Sequence, residues 1–155
     1  MITVARCHDA DAINAIISSP EIAPWICDDG SRDLTVTDTE ALVWLGVYLD
    51  GLCFGVFLLV PQNAATVELH TALALHGQQA LDAARLMLGY VFSQWHKLVT
   101  QIPADNRPAA LMARRLGLKH EGINRQSFLK NGVLLDQSVF GMTREEYVTC
   151  HYQQR

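Results

Sequence analysis

No stretch of this chain is apolar for long enough to cross a membrane. Half of its 155 residues are apolar, yet nothing approaches the roughly 18 uncharged apolar residues of a spanning helix, because Asp50 and Gly51 break the most apolar region. The opening "MITVARCHDADA" has neither a basic leader nor a long apolar segment before a cleavage site, so the expectation is a soluble, cytoplasmic protein with no membrane partner. Cysteine is sparse as well. Cys7, Cys27, Cys53 and Cys150 include no CxxC pair, which argues for reduced thiols and against a zinc site or a disulfide framework. His8, His96, His120 and His151 show no ligand spacing, so no metal is expected. Basic clusters are missing too: 12 Lys and Arg stand against 16 Asp and Glu, a net charge of −4. That balance argues against nucleic acid, which needs a row of cations, and suits a cationic partner.

Repeats, low-complexity segments and linker-like shifts are also lacking, and the length suits one domain over residues 1–155. A slightly positive mean hydropathy suggests apolar surface that a second copy or an assembly partner would cover.

What is present reads as alternating elements. "ITVARC" is a short strand, and Asp9 caps a helix with Ala12, Ile13, Ile16 and Ile17 at helical spacing. "SPEIAPWIC" makes a second short helix distorted by Pro24, and "DDGSRD" a loop. "ALVWLGVYL" and "LCFGVFLLV", joined by Asp50-Gly51, form a hairpin because both turn residues accept positive φ. In "TVELHTALAL", Val67, Leu69, Thr71 and Leu73 face one side while Glu68, His70 and Ala72 face the other. Gln79 to Trp95 is a long amphipathic helix. "KLVTQI" is a buried strand, and "PADNRP" leads into a helix that Gly117 closes, with Arg114 and Arg115 at its negative end. "INRQSFL" and "VLLDQSVFGM" form a hairpin over Asn131-Gly132, and "TREEYV" opens a last helical turn with Thr143 and Glu146 in capping-box spacing. The fold class is therefore α/β (α+β), in the order βααβββαβαββ, with a mixed central sheet flanked by helices.

This order, with "NRPAALMARRLGLKHEGINR" and "NGVLLDQSVFGMTREEY" near the C-terminus, resembles the GNAT superfamily of acyl-CoA-dependent N-acyltransferases. The specific matches are Asn106, Leu116-Gly117-Leu118, Glu121-Gly122, Gly132, Asp136, Gly141 and Arg144-Glu145-Glu146, and they look like the branch that acetylates the N-termini of ribosomal proteins. The resemblance runs from about Val67 to Tyr147; before Ala41 it is element order alone.

The resemblance implies acetyl-CoA as co-substrate. Its pantetheine arm would pair with the edge of the fourth strand at Leu73 and Leu75, where that strand parts from the fifth. Its pyrophosphate would meet the amides of the next turn and helix start, His76-Gly77-Gln78-Gln79-Ala80, where partial positive charge collects. The family carries Arg or Gln ahead of two closely spaced glycines, the second sometimes alanine. Here His76 could replace the Arg charge only when protonated, Gly77 matches one glycine, and Gln79 stands at the other, where its bulk is expected to crowd the phosphates.

Acyl transfer to an amine needs a base, a polarised carbonyl and a proton for the leaving thiolate. Glu68 and His70, on one strand face, are either the base, directly or through water, or simple surface groups. Asn106 is either a helix cap or a ligand for the cofactor arm. Two polar positions of the family are blank: Ala113 replaces a Tyr and Ala109 a Ser. Arg125 and Asp136, diagonal on the last hairpin, are a substrate contact or a structural ion pair. Asp9, Asp11, Glu21, Asp28, Asp29 and Asp33, with Trp25 and Trp44 as aromatic walls, suggest a cationic acceptor or no more than a solvated acidic face. Two readings stay open: an N-acetyltransferase acting on a small amine or a protein N-terminus, or an inactive protein of this fold serving binding or assembly, for instance in a bacteriophage particle.

Overall fold

A computed structural model describes residues 1–31 and 33–152. The elements are β1 (Ile2–Arg6), α1 (Ala10–Ile17), α2 (Ala23–Ile26), β2 (Val43–Leu49), β3 (Leu52–Pro61), β4 (Thr66–Leu73), α3 (Gly77–Gln94), β5 (Lys97–Pro103), α4 (Arg107–Arg115), β6 (Lys119–Lys130), β7 (Val133–Thr143) and α5 (Arg144–Tyr152). The expected order holds, with α5 appended. Among the described residues seven strands form one sheet, β1-β2-β3-β4-β5-β7-β6. Every pairing is antiparallel except β4 with β5. No helix among the described residues is long and apolar enough to cross a membrane.

Strand alternation divides the apolar residues between two faces. Leu45, Phe57, Leu59, Val67, Leu98 and Phe140 pack with α3 and α4 on one side. Trp44, Val56 and Ala72 pack with Ile13 of α1 and Ile22 on the other. Each of these side chains is nearly or fully buried. At about 25 cal/mol per Å² of apolar surface removed from water, the two cores supply the main driving force for the layered arrangement.

Local chemistry ends the elements where the sequence predicts. The carboxylate of Asp9 accepts the Ala12 amide at 3.1 Å and starts α1. Asp50 and Asn131 hold φ of 51° and 52° in the two hairpin turns. Helix α4 closes with Leu118 N–H donating to Ala113 O and Gly117 N–H to Arg114 O, the paired bonds of a left-handed terminus. Pro24, expected to distort α2, instead lies in its first turn, where a missing N–H costs nothing. The loop expected over "DDGSRD" is present, with Arg32 outside the described residues.

The last hairpin departs from a simple count. Asn124 faces Gln137 and Phe128 faces Leu135, so Arg125, Gln126 and Ser127 lie opposite Asp136 alone. The surplus is absorbed by a bulge with Gln126 at φ 51°. The carboxylate of Asp136 accepts the Gln126 amide at 2.8 Å. The expected Arg125–Asp136 pairing is thus replaced by a carboxylate that caps the bulge.

Helix α5 is tied at its start. Thr143 N–H donates to Glu146 Oε1 at 2.9 Å, and Glu146 N–H to Thr143 Oγ1 at 3.1 Å, the reciprocal capping box expected from the sequence. Arg144 Nε donates to Phe92 O at 2.8 Å, so α5 also supplies a cation to the C-terminus of α3. Glu146 pairs with Lys119 Nζ. That ammonium, with the Thr143 amide, holds the carboxyl down at about 2.

Because the folded pKa lies below the ordinary glutamate value of about 4.3, Glu146 stabilises the fold above that value and loses this contribution as pH falls towards about 2. Glu146→Gln should lower stability at pH 7 by about 1 kcal/mol, a figure discounted for solvent screening of the pair. Thermal melts from pH 7 to pH 2 should show the difference from wild type shrinking across the acid range.

Candidate active site

The parallel pairing of β4 and β5 is short. It joins Thr66, Val67 and Glu68 to Lys97, Leu98 and Val99 and goes no further, although both strands continue. At the point of parting, Thr100 Oγ1 donates to Leu69 O at 3.0 Å. A side-chain hydroxyl thus takes the place of the next main-chain donor. Leu69 therefore directs its peptide towards β5, and alternation turns the main-chain groups of Thr71 and Leu73 the same way. Ala74 N–H points oppositely, to Phe54 O on β3. The β4 edge above the fork is a row of main-chain groups facing a notch.

A cavity of about 550 Å³ passes through this notch. Ala84 and Met87 of α3, with Met112 and Ala113 of α4, line it on one side of the sheet; Trp25 and Ile26 of α2 with Trp44 of β2 line it on the other. Ala113 and Ala109, the two positions lacking the family's polar groups, both face this space. Their small side chains leave room there.

Helix α3 begins just beyond the end of β4. Gly77 holds φ at +59°, a conformation that a residue with a β-carbon rarely adopts, and the space its β-carbon would fill is empty. His76, Gly77, Gln78 and Gln79 are exposed, whereas Ala80 is buried. Among the described residues no side chain accepts from the first-turn amides, and His76 makes no capping bond. The amide of Gly77 and those that follow it meet the solvent with the helix dipole behind them. Gln78 Nε2 turns along the helix to Asp82 Oδ1 at 2.8 Å. Gln79, expected to crowd a phosphate, lines a separate depression with Asp82, Leu86 and Tyr147. His76 Nε2 lies 3.5 Å from Glu21 Oε1, which offsets any charge it carries. Leu73 is on the notch edge; Leu75 has left the strand, and its side chain joins the core.

Glu68 and His70 face the cavity together. His70 Nε2 is 2.8 Å from Glu68 Oε1, and Gln62 Nε2 donates to Glu68 Oε2 at 2.6 Å. Both carboxylate oxygens are engaged. With a proton on Nε2 directed at Glu68, the ring's Nδ1 keeps its lone pair and has no partner among the described residues. Gln62, which the sequence does not single out, completes this chain from the turn before β4.

Asn106 sits at the cavity wall as the cap of α4, its Oδ1 accepting the Ala109 amide at 3.3 Å. Its Nδ2 has no partner among the described residues. The acidic set does not converge on the cavity. Asp9 caps α1, Asp28 accepts from Gly30 N–H at 3.0 Å, Asp29 binds the turn amides of Asn131 and Gly132 at 2.7 and 2.9 Å, and Glu21 faces His76. Among the described residues Glu68 is the carboxylate that lines the cavity, and Trp25 and Trp44 line it too. Asp29 was legible as an acid but not as a clasp, because its partner lies in a turn far along the chain.

No protein-family model and no curated protein matches the chain. Solved structures do match. A spermidine N-acetyltransferase from Vibrio cholerae, in complex with CoA and spermine, superposes at a TM-score of 0.78 and 16% identity, over 95% of this chain and 98% of that one. Mycobacterium smegmatis RimJ, in complex with CoA-disulfide, does so at 0.73 and 16%, over 96% and 88%. A probable GNAT acetyltransferase from Chromobacterium violaceum reaches 0.72 and 19%, over 94% and 84%. With near-complete coverage on both sides, the architecture of this chain is the GNAT fold.

Proposed function

We propose that this protein is an N-acetyltransferase that moves an acetyl group from acetyl-CoA to a primary amine. The observation that carries the reading is the fork between β4 and β5, which opens after Glu68 and Val99 beside a helix start with no side-chain cap among the described residues. Such a fork leaves peptide groups without strand partners, a cost that a linear, amide-bearing ligand arm would offset by pairing with the β4 edge. The first-turn amides of α3 suit a diphosphate. Structures of the same fold contain CoA, in support of this ligand. An inactive assembly protein finds no comparable support, since it needs neither the notch nor the bare helix start.

Acetyl-CoA brings a thioester carbonyl that an amine can attack. His70 takes the amine proton at Nδ1, directly or through one water, and Glu68 positions the ring through Nε2. An α-amino group with a pKa near 8 asks for only a mild base. Asn106 stabilises the arm through Nδ2 while its Oδ1 caps α4. The chain offers no counterpart to the family's tyrosine at Ala113, so the departing thiolate takes its proton from water. The finer likeness to the ribosomal-protein branch does not choose the acceptor, because Gly117, Asp136 and Glu146 of that motif act in holding the fold.

Acetyl-CoA at about 100 times its dissociation constant should stabilise the protein by roughly 2.7 kcal/mol; a melting temperature unmoved at millimolar cofactor would refute the reading. Asn106→Asp should keep the cap and the fold's stability yet weaken acetyl-CoA binding measured by calorimetry, whereas Asn106→Ala should also cost about 1 kcal/mol of stability.

Loss of a positioned base typically costs about 100-fold or more, so His70→Gln should lower kcat on that scale with acetyl-CoA affinity unchanged. Glu68→Gln should give a smaller fall in kcat with the amine KM unaltered. Steady-state kinetics in which Glu68→Gln is the more damaging change would reverse the two roles.

A further inference from the structure

We infer, resting on the transferase reading above, that the acceptor is a small monoamine: one primary amine on an aromatic or branched apolar body, and not a polyamine. The acceptor side of the cavity is walled by Trp25, Ile26, Leu34, Trp44, Leu58 and Phe128. Among the described residues, Glu68 and His70 are the charged or protonatable groups that line that space, side by side. They can receive one ammonium group. A second ammonium further along the same ligand would press against indole, phenyl and aliphatic surface with no second carboxylate among the described lining residues to meet it, and burying an unpaired charge is strongly unfavourable.

Three of the nearby acids are engaged elsewhere. Asp29 grips the Asn131-Gly132 turn, Asp28 caps its own loop, and Asp105 pairs with Lys130 Nζ at 2.8 Å. Lys130 Nζ lies 5.8 Å from the ring centre of Trp25, and its charge is met by Asp105, so this pair offers a distal ammonium no unmatched anion. A monoamine satisfies every part of this lining: its amine meets the Glu68–His70 pair and its body replaces water against the tryptophans and Phe128.

The reaction leaves atoms and charge balanced: the bound ammonium first gives one proton to solvent by way of His70, the neutral amine nitrogen then bonds to the acetyl carbon as the carbon–sulfur bond breaks, and the second nitrogen proton passes to His70 as CoA leaves as thiolate. The test is acetylation of 2-phenylethylamine and of spermidine by the full chain at the same acetyl-CoA concentration, with products weighed by mass spectrometry. The expected result is a kcat/KM at least about ten-fold higher for 2-phenylethylamine, a discrimination within reach of an apolar pocket. Phe128→Ala should raise the KM for 2-phenylethylamine several-fold and leave that for spermidine in place. Equal or faster acetylation of spermidine overturns the inference and leaves the transferase reading standing. Saturable binding of 2-phenylethylamine in calorimetry without acetylation upholds the acceptor class and counts against the transferase reading. Neither binding nor acetylation of 2-phenylethylamine overturns the inference outright.

Discussion

Parallel strands in the interior of a sheet ordinarily pair along their length, because each unpaired peptide group in a dry environment is costly. β4 and β5 break this rule after three residue pairs. The break is stabilised at its fork by the Thr100 hydroxyl on Leu69 O and kept open above it by the different neighbours that claim each strand. β4 follows β3 from Pro61 opposite Val67 to Gly55 opposite Leu73, while β5 follows β7 out to Pro103 opposite Gln137. Each strand is held by its antiparallel partner, so neither can swing across to close the gap. The cavity, the free strand edge and the position of the α3 start all descend from that divergence.

The site then gathers residues from both sheet faces with little added machinery. Alternation along β4 sends Leu69 to the α3 side and Glu68 and His70 to the α2 side. One strand thereby lines the passage and carries the titratable pair. Gly55 lets β4 approach β3 closely, since a β-carbon there would meet Leu73 and the Ala72 carbonyl. Gly141 does the same on β7, where the Lys97–Glu121 ion pair crosses it. Several residues that make the C-terminal half recognisable therefore fasten β5, β6, β7 and the flanking helices, and their chemistry is architectural.

Much of this was readable from local signals. Asp50-Gly51 and Asn131-Gly132 mark turns by backbone conformation alone, Thr143 and Glu146 sit at capping-box spacing, and Gly117 ends a helix through bonds formed within six residues. Face assignments on β4 follow from a period of two. What escaped was set by partners remote in sequence. The bulge opposite Asp136 shifts the register that a turn-based count assumes, and Pro24 fits a first turn that could be located only with the helix in view. The acids of the first helices look like an acceptor-binding set by composition, yet Asp29 and Glu21 answer to residues elsewhere in the fold. Gln79 was judged by its place in a motif, whereas its direction depends on the phase of a helix whose other side is buried.

The grip of Asp29 on the final turn, joined by its own N–H to Leu129 O at 2.9 Å, makes one rim out of two distant stretches of chain. Trp25 and Leu34 lie on one stretch and Phe128 on the other. The walls that would touch an acceptor are consequently not independent: a change that shifts the early segment is transmitted to the hairpin through Asp29. Opening this rim to a bulkier molecule would mean lengthening or re-anchoring both stretches in concert, since widening either alone would strip the turn of its clasp.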